Sequence, residues 1–313
     1  MKQISEKQVT IQGQYPLAAT LLTPEGPGPF PAVIIVPGSG DGDRDGNFKR
    51  GKLFPNIYKD VAELIAGLGF ITLRYDKRGA GESGGNFYET GMTDLVDDIE
   101  SCLSFLENQT RAEKMFLLGH SEGCTLITAA NARRPVDGLI FLSGAAESVK
   151  DALERQRQLL KDEIMDMGGL KGKLLRLIKV DKLIDKQADN LNKKILSSNK
   201  PVIRYQFQKI NAKWFKEHFT YNVFADLEKV TCPSLAVTGE KDLQVTPGKA
   251  HNLSSYVQGP AESHIVDNMD HLLKEATNTP SMLTVSKEYK KNENKPLHPE
   301  FQRILSEWLL EQM

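Results

Sequence analysis

Short apolar runs alternate with longer amphipathic stretches through the first half of the chain. Residues 32–36, 70–75, 115–118 and 138–143 are mostly apolar and too short for helices, which is the pattern of strands buried on both faces of a parallel sheet. Between them, residues 54–68 repeat apolar positions near i, i+3, i+4 and stop at Gly67 and Gly69, as a helix does. Residues 92–108 read as a second amphipathic helix capped by Thr93 or Asp94, and residues 124–132 as a helix of small side chains. Ahead of these, residues 9–14 and 17–23 flank Gly13-Gln14-Tyr15-Pro16 and predict an antiparallel hairpin.

The alternation breaks after Gly144. Residues 147–229 carry no buried-strand signature, only long charged helical stretches such as 149–167 and 170–196. Strand-like runs resume at 234–239 and 263–266, and residues 299–312 place Phe301, Ile304, Leu305, Trp308 and Leu309 on one helical stripe, which reads as core. The fold class is therefore α/β: a mostly parallel central sheet with helices on both faces and an inserted helical cap over its carboxyl edge. The expected division is 1–146 and 230–313 for the core and 147–229 for the cap, which would border a ligand cleft.

Composition narrows the partners. A length of 313 residues suits one large α/β domain with an insertion. The net charge of -1 supplies no long-range field for nucleic acid or a membrane surface. The cap is basic and the rest acidic. Residues 1–10 hold no apolar signal-like run and no stretch reaches the ~20 apolar residues of a membrane span, so the expectation is a soluble, cytoplasmic protein acting on a small, weakly charged ligand. Cys102, Cys124 and Cys232 are far apart, without metal-like spacing, and read as buried free thiols.

The candidate chemistry centres on Gly119-His120-Ser121-Glu122-Gly123, lying between a predicted strand and a predicted helix. Glycine two positions either side lets strand and helix pass close together while a serine hydroxyl stands out at the strand's carboxyl end. A hydroxyl needs a general base oriented by a carboxylate. Asp242 follows the strand at 234–239, and His271 alone of the six histidines occupies a loop after a strand; His120 reads as turned into the sheet. Asp267 and Asp270 compete with Asp242 for the orienting role but flank the histidine too closely. An oxyanion would need two backbone N–H donors, expected from Glu122 and from Ser39, with Gly40 next, in Pro37-Gly38-Ser39-Gly40. That loop lacks the Gly-Lys-Ser/Thr of a phosphate cradle and opens no G-x-G-x-x-G helix.

Taken with Asp43-Arg44-Asp45-Gly46-Asn47, with Arg74-Tyr75-Asp76-Lys77-Arg78-Gly79-x-Gly81-x-Ser83 and with Pro299-Glu300-x7-Trp308-Leu309, these motifs make the chain resemble the α/β-hydrolases of the serine-aminopeptidase-like branch, bacterial carboxylesterases among them. The resemblance implies a Ser121–Asp242–His271 triad cleaving carboxylic esters of short to medium acyl length, with no cofactor and no metal. Peptidase and thioesterase activity are alternatives in the same chemistry, and a non-catalytic binding protein is the alternative outside it. The Asp43-Arg44-Asp45 run reads as an ion-pair knot beneath the oxyanion loop, a role shared by Asp76 and Arg78.

Overall fold

The structure, a computed structural model, describes residues 3–278 and 280–313. A hairpin of β1 (Ile4–Ile11) and β2 (Leu17–Pro24) leads to β3 (Phe30–Val36), α1 (Ile57–Leu68), β4 (Ile71–Tyr75), α2 (Met92–Gln109), β5 (Ala112–His120), α3 (Glu122–Arg133) and β6 (Gly138–Leu142). An inserted segment follows: α4 (Val149–Asp166), α5 (Gly169–Leu177), α6 (Val180–Ser197), β7 (Val202–Tyr205), β8 (Gln208–Asn211), α7 (Ala212–Thr220) and α8 (Val223–Leu227). The chain then returns through β9 (Ser234–Gly239), β10 (Ala261–Val266), α9 (Val285–Asn292) and α10 (Pro299–Glu311).

Eight strands form one sheet in the order β1-β2-β4-β3-β5-β6-β9-β10. Only β2 runs antiparallel to its neighbours, β1 and β4; every pairing from β4 to β10 is parallel. The alternation of side chains divides the core. Ala32, Ile34 and Val36 of β3 join the apolar cluster under α2 and α3, whereas Val33 and Ile35 join the one under α1 and α10. This is the sandwich of helix, sheet and helix that the short apolar runs predict. The α10 stripe of Phe301, Ile304, Leu305, Trp308 and Leu309 is buried throughout, each side chain contributing roughly 1.5–3 kcal/mol.

Several boundaries differ from the sequence reading, for local reasons. The hairpin begins at Ile4 rather than at residue 9: Ser5 to Gln8 are exposed along an edge strand, so no apolar alternation marks them in the sequence. Helix α1 starts at Ile57 rather than 54: a residue before proline resists helical geometry, and Asn56, after Pro55, is left-handed at φ 53°. The cap of α2 is Gly91, and Asp94 serves it from inside the helix by accepting the Gly91 N–H at 2.7 Å. Residues 147–229 are not all helical, since β7 and β8 form a hairpin of four paired residues each. Its two-residue turn, Gln206 and Phe207, has positive φ at both positions without the glycine or asparagine that announces such turns. Helix α9 sends only Tyr289 and Asn292 inward, too few positions for a period to show.

The three cysteines are free; Cys102 and Cys124 are buried as expected, but Cys232 is partly exposed. Among the described residues no helix is long and apolar enough to cross a membrane.

Candidate active site

Ser121 sits between β5 and α3 with φ 55° and ψ −119°, a strained conformation for a residue with a side chain. The flanking glycines make this turn possible. A Cβ on Gly119 would fall 2.3 Å from Gly123 O, and one on Gly123 would fall 2.3 Å from Val36 O. The Ser121 N–H is held by Leu142 O at 2.9 Å, and Glu122 begins α3, so its N–H is among the open amides at the helix start. Gly38 approaches so closely that a Cβ there would lie 3.1 Å from Ser121 Cβ. The loop of Ser39 is thereby in contact with the serine.

Asp242 follows β9 and is buried. Its Oδ1 accepts the N–H groups of Gln244 (2.8 Å) and Val245 (3.2 Å), and its Oδ2 accepts His271 Nδ1–H at 2.8 Å. Burial would raise its pKa, but the neighbouring His271 and these donors outweigh it and hold the carboxyl below its ordinary value. Because Nδ1 carries the proton in this bond, Nε2 of a neutral His271 is left as the acceptor. The rival carboxylates do not reach the ring. Asp267 is exposed, and Asp270 accepts from the backbone N–H groups of Leu272 and Lys274. Ser39, Ser121 and His271 line one cavity of about 390 Å³.

His120 is not turned into the sheet. Its Nε2–H donates to His271 O at 2.9 Å, and its Nδ1 accepts from Tyr58 Oη at 3.0 Å, while the Gly38 N–H donates to the same Tyr58 oxygen at 2.8 Å. Burial, reinforced by His271, pushes the His120 pKa down to about 3, so the ring is neutral at pH 7 and keeps this donor and acceptor pattern. One chain of hydrogen bonds thus joins the Ser39 loop to the backbone of His271.

A second buried cluster gathers around the Glu122 side chain. Lys77 Nζ donates to Gly38 O at 2.6 Å and to Glu122 Oε2 at 3.1 Å. Trp214 Nε1–H, from α7 of the inserted segment, donates to Glu122 Oε1. His218 Nδ1–H donates to Trp214 O at 3.0 Å, and its Nε2 lies 3.1 Å from Glu122 Oε1, off the line of a good hydrogen bond. Burial alone would raise the Glu122 pKa; Lys77 first, then His218 and Trp214, reverse this and bring it down to about 2. Sequence reasoning missed Tyr58, Lys77, Trp214 and the Glu122 side chain, because none shares a local motif with its partners.

Glu147 also borders Ser121, in a cavity of about 90 Å³, but its carboxylate is occupied by Thr246 N–H (2.8 Å), Thr246 Oγ1–H (2.7 Å) and, at 3.6 Å, Lys249. The Asp43-Arg44-Asp45 run is engaged in pairs of its own. Arg44 pairs with Asp76 at 2.9 Å and with Glu82, and Arg74 pairs with Asp45 at 2.7 Å. Arg78 differs from the expectation: it turns away to Asp98, at 2.7 Å on α2. Among the described residues no group of three or more His, Cys, Asp or Glu side chains converges as a metal-binding set.

The family described as "Serine aminopeptidase, S33" matches residues 55–276. A curated relative, Esterase EstD of Thermotoga maritima, is 26% identical over 270 residues, covering 86% of this chain and 60% of that protein. The chain therefore spans about three-fifths of the length of that relative. Among solved structures, Est1E from Butyrivibrio proteoclasticus with bound ferulic acid is 19% identical with a TM-score of 0.63, over 97% of this chain and 98% of that one. The Pyrococcus furiosus esterase Pf2001 is 12% identical with a TM-score of 0.58, over 99% and 91%. At these identities the likeness is one of fold, and that fold is the α/β-hydrolase.

Proposed function

The chain belongs to the serine aminopeptidase S33 family of α/β-hydrolases, and from that premise we propose that it is a serine hydrolase cleaving small-molecule carboxylic esters of short to medium acyl chain. The observation that carries this reading is the buried Asp242–His271 pair, 2.8 Å apart, opening on the same cavity as a serine held in a strained turn.

His271 Nε2 takes the proton of Ser121 Oγ as the oxygen attacks the ester carbonyl, while Asp242 fixes the tautomer and stabilises the imidazolium. The N–H groups of Glu122 and Ser39 receive the oxyanion. The contact between Lys77 and Gly38 supports the second donor. A trans peptide holds its C=O and N–H antiparallel, so fixing Gly38 O on buried Lys77 aims the Ser39 N–H the opposite way. Collapse of the intermediate expels the alcohol with the His271 proton, and water activated by the same nitrogen releases the acid.

Residues 147–229 act in this reading as a cap over the site, between core segments 1–146 and 230–313. The three free thiols are in keeping with the reducing cytoplasm. An aminopeptidase would need an unpaired carboxylate for the substrate's ammonium group. Glu122 and Glu147, the carboxylates beside Ser121, are both engaged, which favours an ester.

The test compares wild type with Ser121→Ala on p-nitrophenyl esters of graded acyl length. Turnover should fall about 10⁴-fold or more with the fold intact; near-normal rates in the alanine variant would sink the assignment.

A further inference from the structure

Two cavities meet at Ser121, with Ser39, Gln156 and Gln244 common to both, and the proposed chemistry, on which this inference rests, tells which part of an ester enters each. In the tetrahedral intermediate the carbonyl carbon carries Ser121 Oγ, the oxyanion, the leaving oxygen and the acyl carbon. The leaving oxygen must meet His271, which protonates it. His271 lines the cavity of about 390 Å³ together with Phe48, Met282 and Val285, and it lines neither of the two cavities bordered by Trp214. The alcohol therefore belongs with His271. The acyl group is left the side bounded by Glu122 and Trp214.

On that side the cavity of about 90 Å³ contains Ser121, and Ser39 and Trp214 border both it and a larger one of about 260 Å³. The larger cavity is walled by Phe87, Tyr88, Leu95, Ile210, Trp214 and Phe215. Its aromatic pairs stand edge to face: Phe87 and Tyr88 at 81° with centroids 5.6 Å apart, Trp214 and Phe215 at 86° and 4.9 Å. Such walls offer both ring faces and ring edges, which favour a planar aryl group over an alkyl chain of equal area. An apolar cavity of about 150 Å³ holds a benzene, so 260 Å³ admits a ring with a short linker. The buried cations at its edge are spent, Lys77 on Glu122 and Gly38 O and Arg78 on Asp98, and the third lining cation, Lys209, is exposed to water and lies over the Tyr88 ring, 5.9 Å from its centroid. The preferred group is therefore uncharged.

We propose that this aromatic-walled cavity is the acyl subsite, that it selects neutral aryl-bearing acyl groups, and that Trp214 is the residue that sets the selection. Trp214 is suited to the task because its indole N–H is fastened to Glu122, the residue after the nucleophile, so the wall is registered to the reacting carbon.

The experiment is a matrix of ester kinetics on the full chain: p-nitrophenyl acetate, nonanoate and 3-phenylpropanoate for the acyl side, and ethyl, butyl and benzyl butanoates for the alcohol side. Wild type should prefer the phenylpropanoate to the nonanoate of equal carbon count by about 10-fold in kcat/KM. Trp214→Ala should abolish that ratio while leaving the ratios among the alcohols unchanged, and Met282→Ala should do the reverse. Should Trp214→Ala fail to fold, Ile210→Trp fills the cavity from β8 instead and should lower the phenylpropanoate-to-acetate ratio at least 10-fold. Equal handling of aryl and alkyl acyl groups by wild type overturns the proposal, as does a change in alcohol preference on altering Trp214. Either result leaves the esterase reading standing. Absence of all turnover together with no labelling of Ser121 by a fluorophosphonate overturns that reading itself.

Discussion

The surroundings of Ser121 and the outer part of the inserted segment are built on opposite terms. Around the serine, both polar groups of Gly38, both ring nitrogens of His120 and both carboxylate oxygens of Asp242 have named partners. In α4 no residue is buried, in α5 only Gly172 and in α6 only Ile195, while Leu170, Leu174 and Leu177 face solvent. Chemistry at a carbonyl needs donors and a base held within a few tenths of an ångström, whereas a cavity wall needs only shape. The first region can be broken by removing one proton donor. The second should tolerate such losses except at α7, where Trp214 and His218 meet Glu122.

The largest break falls on the Asp242–His271 pair. In Asp242→Asn the carboxamide's NH2 can face His271 Nδ1, so the proton moves to Nε2 and the base is lost. We expect kcat to fall by about 10⁴ with near-wild-type stability. Steady-state kinetics beside urea unfolding checks both halves, and a loss under 10-fold would remove Asp242 from the mechanism.

Next comes Lys77→Met, which frees Gly38 O and with it the orientation of the Ser39 N–H. The expected loss is about 10²-fold in kcat with KM nearly unchanged, the size reported by removal of one oxyanion donor. A donor that acts only in the transition state predicts a parallel loss of affinity for a boronic acid inhibitor. A purely structural lysine would instead lower stability without that parallel.

The two regions also differ in how much of them the chain discloses. Gly119, Ser121 and Gly123 are legible because the steric need is local: each glycine answers a backbone atom 2.3 Å from a Cβ it lacks. Asp242 and His271 are legible by their order after successive strands, and the parallel sheet by its short apolar runs. Glu122 is different. Its carboxylate meets Lys77 from 45 residues upstream and Trp214 from 92 residues downstream, while in sequence it reads as an ordinary acid in a helix's first turn. His120 misled for a similar reason, since a histidine inside an elbow carries no mark of Tyr58, 62 residues before it. The β7–β8 hairpin escaped because Gln206 and Phe207 adopt positive φ without the residues that favour it.

Glu122 is where the two regions join, and its ionisation offers the last and smallest break. Its pKa is down at about 2 in the fold against an ordinary 4.5, so the unfolded chain binds the proton more readily. A depressed carboxyl contributes stability that is complete above the unfolded pKa and is lost as pH falls through the folded one. The difference corresponds to roughly 3 kcal/mol, about 2 kcal/mol of which should be gone by pH 3. Glu122→Gln keeps an oxygen for Trp214 but removes the charge, so the stability gap between wild type and variant should narrow steadily from about pH 5 toward pH 3. Urea unfolding of both proteins at matched pH reads this directly. A gap that stays flat to pH 3 would mean that Glu122 is not held ionised, and the electrostatic joint between Lys77, the elbow and α7 would have to give way to one made by packing alone.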